Sequence, residues 1–157
     1  MKAVLQRVSR GRVTVEGRVL GEIDRGLVIL LGVARGDVEA DAHLLAAKTA
    51  NLRVFPDAQS RFNLSLLEVG GRALVVSQFT LLADARRGRR PSFDEAAGQQ
   101  EAEALVDRFC QCLRDEGVPV ETGLFGAHME VEIHNDGPVT IVLDSTELTK
   151  PRRSHGP

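Results

Sequence analysis

The chain has no tryptophan and no tyrosine, and aromatic residues make up only 4% of it. Its 20 Lys and Arg stand against 22 Asp and Glu, a formal net charge of −2. A module that grips nucleic acid by overall charge or by stacked aromatic platforms is therefore not expected, DNA is not expected as a partner, and any contact with nucleic acid has to be local. Cysteine is scarce too. Cys110 and Cys112 stand two apart within a helical pattern and so point in different directions, which predicts free thiols and no disulfide framework. No apolar run approaches the roughly 20 residues of a membrane span, and Met1 to Arg10 lacks the apolar stretch of a signal peptide. A cytoplasmic protein with no membrane partner is the expectation. His43, His128, His134 and His155 are scattered, and neither Cys-x-x-Cys nor His-Glu-x-x-His occurs, so neither a catalytic metal nor another cofactor is expected. No glycine-rich phosphate loop is present, which counts against nucleotide hydrolysis.

What is there suits one core. With 157 residues, 43% of them hydrophobic, the chain predicts a single domain over residues 1–144 and a flexible C-terminal tail over 145–157. Val4 to Val8, Arg12 to Val15 and Val19 to Ile23 read as an opening set of paired strands, and the nearly continuous apolar run Leu27 to Val33 as a central strand buried on both faces. Asp37 is a good N-cap for a helix ending near Leu52, and a second helix is expected from Asp94 to Glu116 with Gly117 as its stop. Gly70-Gly71 predicts a hairpin turn into Ala73 to Leu82. Met129, Val131 and Ile133 alternate with Glu130 and Glu132, and Asn135-Asp136-Gly137-Pro138 reads as the turn to a returning strand, Val139 to Leu143. The sum is an α/β fold: mixed, largely antiparallel β-sheet layers with two main helices packed on one side.

Two segments carry candidate chemistry. Ser77-Gln78-Phe79-Thr80-Leu81 ends an apolar strand with three polar side chains where a buried strand would continue apolar, although such hydroxyls often satisfy neighbouring backbone groups. Asn135 to Thr140 by itself is a hairpin turn. A third segment, Arg86-Arg87-Gly88-Arg89-Arg90, places four arginines within five residues; it could track a phosphate backbone, and a solvated loop is the commoner meaning of such a run.

Taken together, SQFTL at Ser77 to Leu81 and NDGPVT at Asn135 to Thr140 resemble the two signature motifs of the D-aminoacyl-tRNA deacylase family. Gln6-Arg7-Val8, VTVEG at Val13 to Gly17, LLGV at Leu30 to Val33, Phe55-Pro56-Asp57, Phe62-Asn63-Leu64, RPSF at Arg90 to Phe93 and TGLFGAHM at Thr122 to Met129 look like family features in the family's order. The resemblance covers Met1 to Leu143 and leaves the C-terminal extension without a role. It implies a three-layer sandwich and a homodimeric, tRNA-binding editing hydrolase. Such an enzyme deacylates mischarged D-aminoacyl-tRNA, and glycyl-tRNA(Ala) as well, in translation quality control.

The same resemblance implies the site. Ser77, Gln78, Phe79 and Thr80 would form the catalytic strand end, with backbone N–H groups near Phe79 and Thr80 holding the oxyanion and the ribose 2′-hydroxyl of the substrate helping to activate water. Gly137 and Pro138, joined by a cis peptide, would enter the partner subunit's site as a chiral filter that rejects L-aminoacyl groups. Arg7, Asn135, Val139 and Thr140 would support substrate binding around them. Three other readings stay open: Thr80 as a covalent nucleophile, a non-catalytic nucleic-acid-binding protein, and a structural dimerisation module.

Overall fold

A computed structural model describes residues 1–151 of the chain. The long strand β1, Lys2–Val15, organises the fold. Along one edge it pairs antiparallel first with β3 (Gly26–Gly32) and then with β2 (Arg18–Ile23), so it passes from one layer to another. Along the other edge it pairs throughout with β8, Glu130–Asp144. Beyond β3 the sheet continues in parallel through β6, Arg72–Ser77, to β7, Val120–Thr122. A separate two-stranded ribbon joins β4, Phe55–Pro56, to β5, Phe62–Leu64. The expected mixed, largely antiparallel architecture is present, with β3 in a central position.

Alternation divides the core in two. Leu27, Ile29 and Leu31 of β3 and Ala73 and Val75 of β6 face one side, where they meet α1 (Glu39–Asn51) and α2 (Gln99–Asp115) through Ala42, Leu45, Leu105, Phe109 and Leu113. Val28, Leu74 and Val76 face the other side and meet Val8, which still pairs with β3, together with Val13 of the far half of β1 and Ile23 of β2. Both main helices therefore cover one face, and the sheet's own folded-over half covers the other. Fully burying each such Leu or Ile contributes about 1.5–3 kcal/mol, so this alternation is what holds the layers together. Cys110 and Cys112 are both free and buried on α2, and burial pushes the Cys110 thiol up to about 11.

Four sequence expectations are corrected. α1 starts at Glu39, because Asp37 turns back to accept from the Ala34 N–H (2.6 Å) and the Met1 amine (2.7 Å). α2 starts at Gln99 and not at Asp94: the Ala97 N–H donates to Val33 O (3.0 Å) and the Arg35 N–H to Glu95 O (2.9 Å), which draws this segment alongside the end of β3. Gly70-Gly71 closes no hairpin, since β5 pairs with β4 while β6 inserts between two parallel neighbours, as an apolar strand buried on both faces does. Finally, Asn135 to Pro138 does not reverse the chain. β8 runs straight through on β1: Val8 opposes Asn135 and Gln6 opposes Thr140, so the intervening residues are extruded as a wide bulge opposite Arg7. At the far end, α3 (Ser145–Leu148) forms a short helix whose Ser145 is buried, within the stretch expected to be a tail; residues 152–157 of that tail lie outside the described residues.

Candidate active site

The parallel strands β3 and β6 end side by side, with Leu31 opposite Ser77. The carboxyl ends of neighbouring parallel strands are where open α/β sheets leave room for ligands. Here the chain turns sharply. The Gln78 N–H donates to Leu31 O (2.8 Å), and Phe79–Leu82 then winds into a single 3-10 turn. Gly32 makes this turn fit, since a Cβ there would lie 2.6 Å from Leu82 Cδ2 and 3.0 Å from Gln78 O. The turn leaves the main-chain N–H groups of Phe79 and Thr80 without an acceptor among the described residues.

A cavity of about 480 Å³ opens beside this turn. Ser77, Gln78 and Phe79 form one wall, Ala96 and Ala97 a second, and Phe125 to Met129 a third. Among its lining residues there is no Asp, Glu, Lys or Arg; His128 is the titratable group. Catalysis by a carboxylate pair has no support in such a lining. The Thr80 side chain is exposed, does not line the cavity, and its hydroxyl accepts from the Gln78 amide. Phe79 is 59% exposed and meets the Phe93 ring edge-on at 5.0 Å. No three His, Cys, Asp or Glu side chains converge to hold a metal ion among the described residues.

The other expected site residues form a second, separate cluster. Arg7 is 8% exposed; its Nε donates to Asp136 O (2.8 Å) and its Nη1 to Val54 O (2.7 Å), while its guanidinium lies 5.4 Å from the centre of the Phe62 ring. Asn135 closes the bulge from inside: its Oδ1 accepts from the Val139 N–H (2.7 Å) and its Nδ2 donates to Val139 O (3.2 Å). Thr140 Oγ1 accepts from Gln6 Nε2 and from Asn135 Nδ2, each at 3.3 Å. Gly137 and Pro138, linked by a cis peptide, stand exposed at the crest. None of Arg7, Asn135, Gly137, Pro138, Val139 or Thr140 lines this cavity. Sequence reasoning gave no role to Ala96, Ala97 or the Phe125 to Met129 wall. TGLFGAHM carried a signal by resemblance, whereas Ala96 and Ala97 were hidden inside an apparent helix.

A mixed sheet with helices on one face, and a cavity free of Asp, Glu, Lys and Arg where strand ends expose unpartnered main-chain donors, define an α/β protein with a site built on its main chain. The D-Tyr-tRNA(Tyr) deacylase family profile matches residues 4–144. The chain is 60% identical over 155 residues to a D-aminoacyl-tRNA deacylase of Roseiflexus castenholzii, covering 99% of both chains. It is 59% identical over 152 residues to one of Dehalococcoides mccartyi, covering 97% of this chain and 99% of the relative. A solved structure described as the c-Myc DNA Unwinding Element Binding Protein superposes with a TM-score of 0.87 at 40% identity, over 92% of this chain and 98% of that one. The chain belongs to the D-Tyr-tRNA(Tyr) deacylase family.

Proposed function

We propose that this protein is a D-aminoacyl-tRNA deacylase of the cytoplasm, hydrolysing the ester between a D-amino acid and the 3′ end of tRNA. The observation that carries the reading is the pair of free N–H groups at Phe79 and Thr80, beside a cavity whose lining holds no carboxylate. Water adds to the ester carbonyl, the oxyanion rests on those N–H groups, and collapse of the tetrahedral species breaks the acyl C–O bond; the ribose 3′-oxygen leaves as a hydroxyl, taking the proton that the water gave up. The vicinal ribose 2′-hydroxyl activates the water, a task for which the strand end has no base of its own. Ser77 and Gln78 position the strand end and the substrate. Thr80, exposed and already bonded by Gln78, is not the nucleophile. Glycyl-tRNA(Ala), with no side chain to reject, is a second substrate.

Specificity in this reading is built across a homodimer. In one subunit the Gly137–Pro138 crest and the cavity belong to different clusters, so a second copy has to bring them together. The register supplies a face for that copy. Val142 pairs with Val4, and Val4 with Leu30, giving an apolar row across three strands that is 69% exposed at Val142. The crest carbonyls then occupy the place an L-side chain would need. Hydrolysis of matched D- and L-aminoacyl-tRNA by the purified dimer tests the whole reading: D-ester is cleaved and L-ester persists. Equal cleavage of both would remove the filter, and cleavage of neither would remove the deacylase. The D-ester cleaved at full rate by a monomer would remove the cross-subunit arrangement.

A further inference from the structure

The arginine run stands in a defined place. Asp84 and Ser92 exchange a pair of main-chain hydrogen bonds (2.8 and 2.9 Å), which closes the residues between them into a loop. At its base the Arg86 side chain is committed: Nε and Nη2 both bond the Asp84 carboxylate (2.8 and 2.7 Å), and Ser92 Oγ donates to Asp94 Oδ2 (2.7 Å). Those guanidinium bonds hold the Asp84 carboxyl down at about 2. The remaining guanidinia, on Arg87, Arg89 and Arg90, are exposed and make no ion pair or hydrogen bond among the described residues. The tip stands clear of the fold, for nothing lies within 4 Å of where a Cβ on Gly88 would be.

The loop is also coupled to the cavity. Its first leg leaves directly from the 3-10 turn that carries Phe79 and Thr80, and its second returns through Phe93, which packs on Phe79, part of the cavity wall. On a chain of net charge −2, three uncommitted cations on such a loop form a local positive surface beside a neutral pocket. A polyanion that enters the cavity by one end and continues outward would meet it.

We propose that the loop from Asp84 to Ser92 holds the sugar–phosphate backbone next to the esterified end of the RNA substrate, through Arg87, Arg89 and Arg90, while Arg86 and Asp84 fix the loop's base. This rests on the deacylase reading for the identity of the RNA. The cavity recognises the aminoacyl end, and the loop supplies affinity that does not depend on the amino acid.

Binding of deacylated bulk tRNA over a range of salt concentrations, for the wild type and the triple variant Arg87→Ala, Arg89→Ala, Arg90→Ala, tests the proposal without any catalytic step. Each phosphate contact contributes about 0.7–0.9 to the slope of log affinity against log salt. The triple variant should lose roughly tenfold or more in affinity at 0.1 M salt, with a slope shallower by about 2–3. The corresponding triple Lys variant should keep most of the slope. Hydrolysis of a D-aminoacyl-adenosine, which has an ester and a 2′-hydroxyl but no phosphate, should be unchanged in the Ala variant, while KM for D-aminoacyl-tRNA rises and kcat holds. Unchanged tRNA affinity and slope would overturn the proposal. So would an equal loss on the adenosine ester, since the loop would then be shaping the cavity. A wild type that binds tRNA yet hydrolyses neither ester would defeat the deacylase reading and leave the loop to be judged on binding alone.

Discussion

The two regions singled out by the sequence are built on opposite plans. The Ser77 to Leu82 turn is held by main chain: a Gln78-to-Leu31 hydrogen bond, a 3-10 turn, and the close approach that Gly32 permits. The Asn135 to Thr140 bulge is held by side chains, since Arg7, Asn135 and Gln6 make the bonds that the ladder of β1 and β8 gives up there. A site made of backbone tolerates loss of its own side chains and fails when a neighbour intrudes. A site made by side-chain bonds fails when any of those side chains is removed.

The largest effect should come from Gly137→Ala. The residue has φ +149, and an added Cβ would lie 2.8 Å from the Val139 nitrogen and 2.7 Å from Val139 Cγ2, so backbone has to move. If the crest reaches the active site, a displacement of about 1 Å costs on the order of 10²-fold in the rate of D-ester hydrolysis, measured in single-turnover assays with the fold checked by circular dichroism. Wild-type rates from a folded variant would detach the bulge from the reaction.

Arg7→Ala comes next and reads out first in stability. It removes a guanidinium buried to 8% exposure and orphans the Asp136 and Val54 carbonyls, at a cost of about 2–3 kcal/mol in chemical denaturation. Arg7→Lys should recover only part of this, because a single ammonium does not reproduce a fork reaching two carbonyls in different segments. Full recovery by lysine would show that charge alone matters there.

Thr80→Ala marks the contrast. The change leaves both free N–H groups in place, so kcat should fall less than about tenfold. A loss of several orders of magnitude in a folded variant would restore the covalent reading in which Thr80 attacks the ester.

The smallest effect is a matter of pH. Asp84 is depressed to about 2, first by the Arg86 side chain and then by the Arg86 N–H. A depressed carboxyl contributes stability above its ordinary value near 3.8 and loses it as pH falls toward 2. Arg86 is exposed and Asp84 half-buried, and solvent screens the pair, so global stability should barely register it. An NMR titration should find Asp84 still ionised at pH 3, and Arg86→Ala should raise it only part of the way toward the ordinary carboxylate range, because the main-chain N–H of residue 86 still donates to it.

Much of the fold was legible because burial writes its period into the chain. The nearly continuous apolar run from Leu27 suits a strand covered on both faces better than a short helix, and the apolar stripe through Leu105, Phe109 and Leu113 suits a helix packed on a sheet. The two signature segments stood out by breaking such patterns, and their residue types suited turns. Local pattern, however, says nothing of what lies opposite. Asp94 to Gly98 reads as helix until the end of β3 captures Ala97, and that capture is what makes Ala96 and Ala97 a wall of the cavity. Asn135 to Pro138 reads as a chain reversal until β1 proves long enough to pair with both flanks, and the same residues become a crest secured by Arg7. The sequence alone determined the central strand, the apolar faces of the two main helices and the residue types at both motifs, because propensity and periodicity are properties of neighbours along the chain. Tertiary structure alone decided that the motifs form two clusters, one around free main-chain donors and one around a buried guanidinium, because hydrogen-bond partners far apart in sequence meet only when the sheet closes.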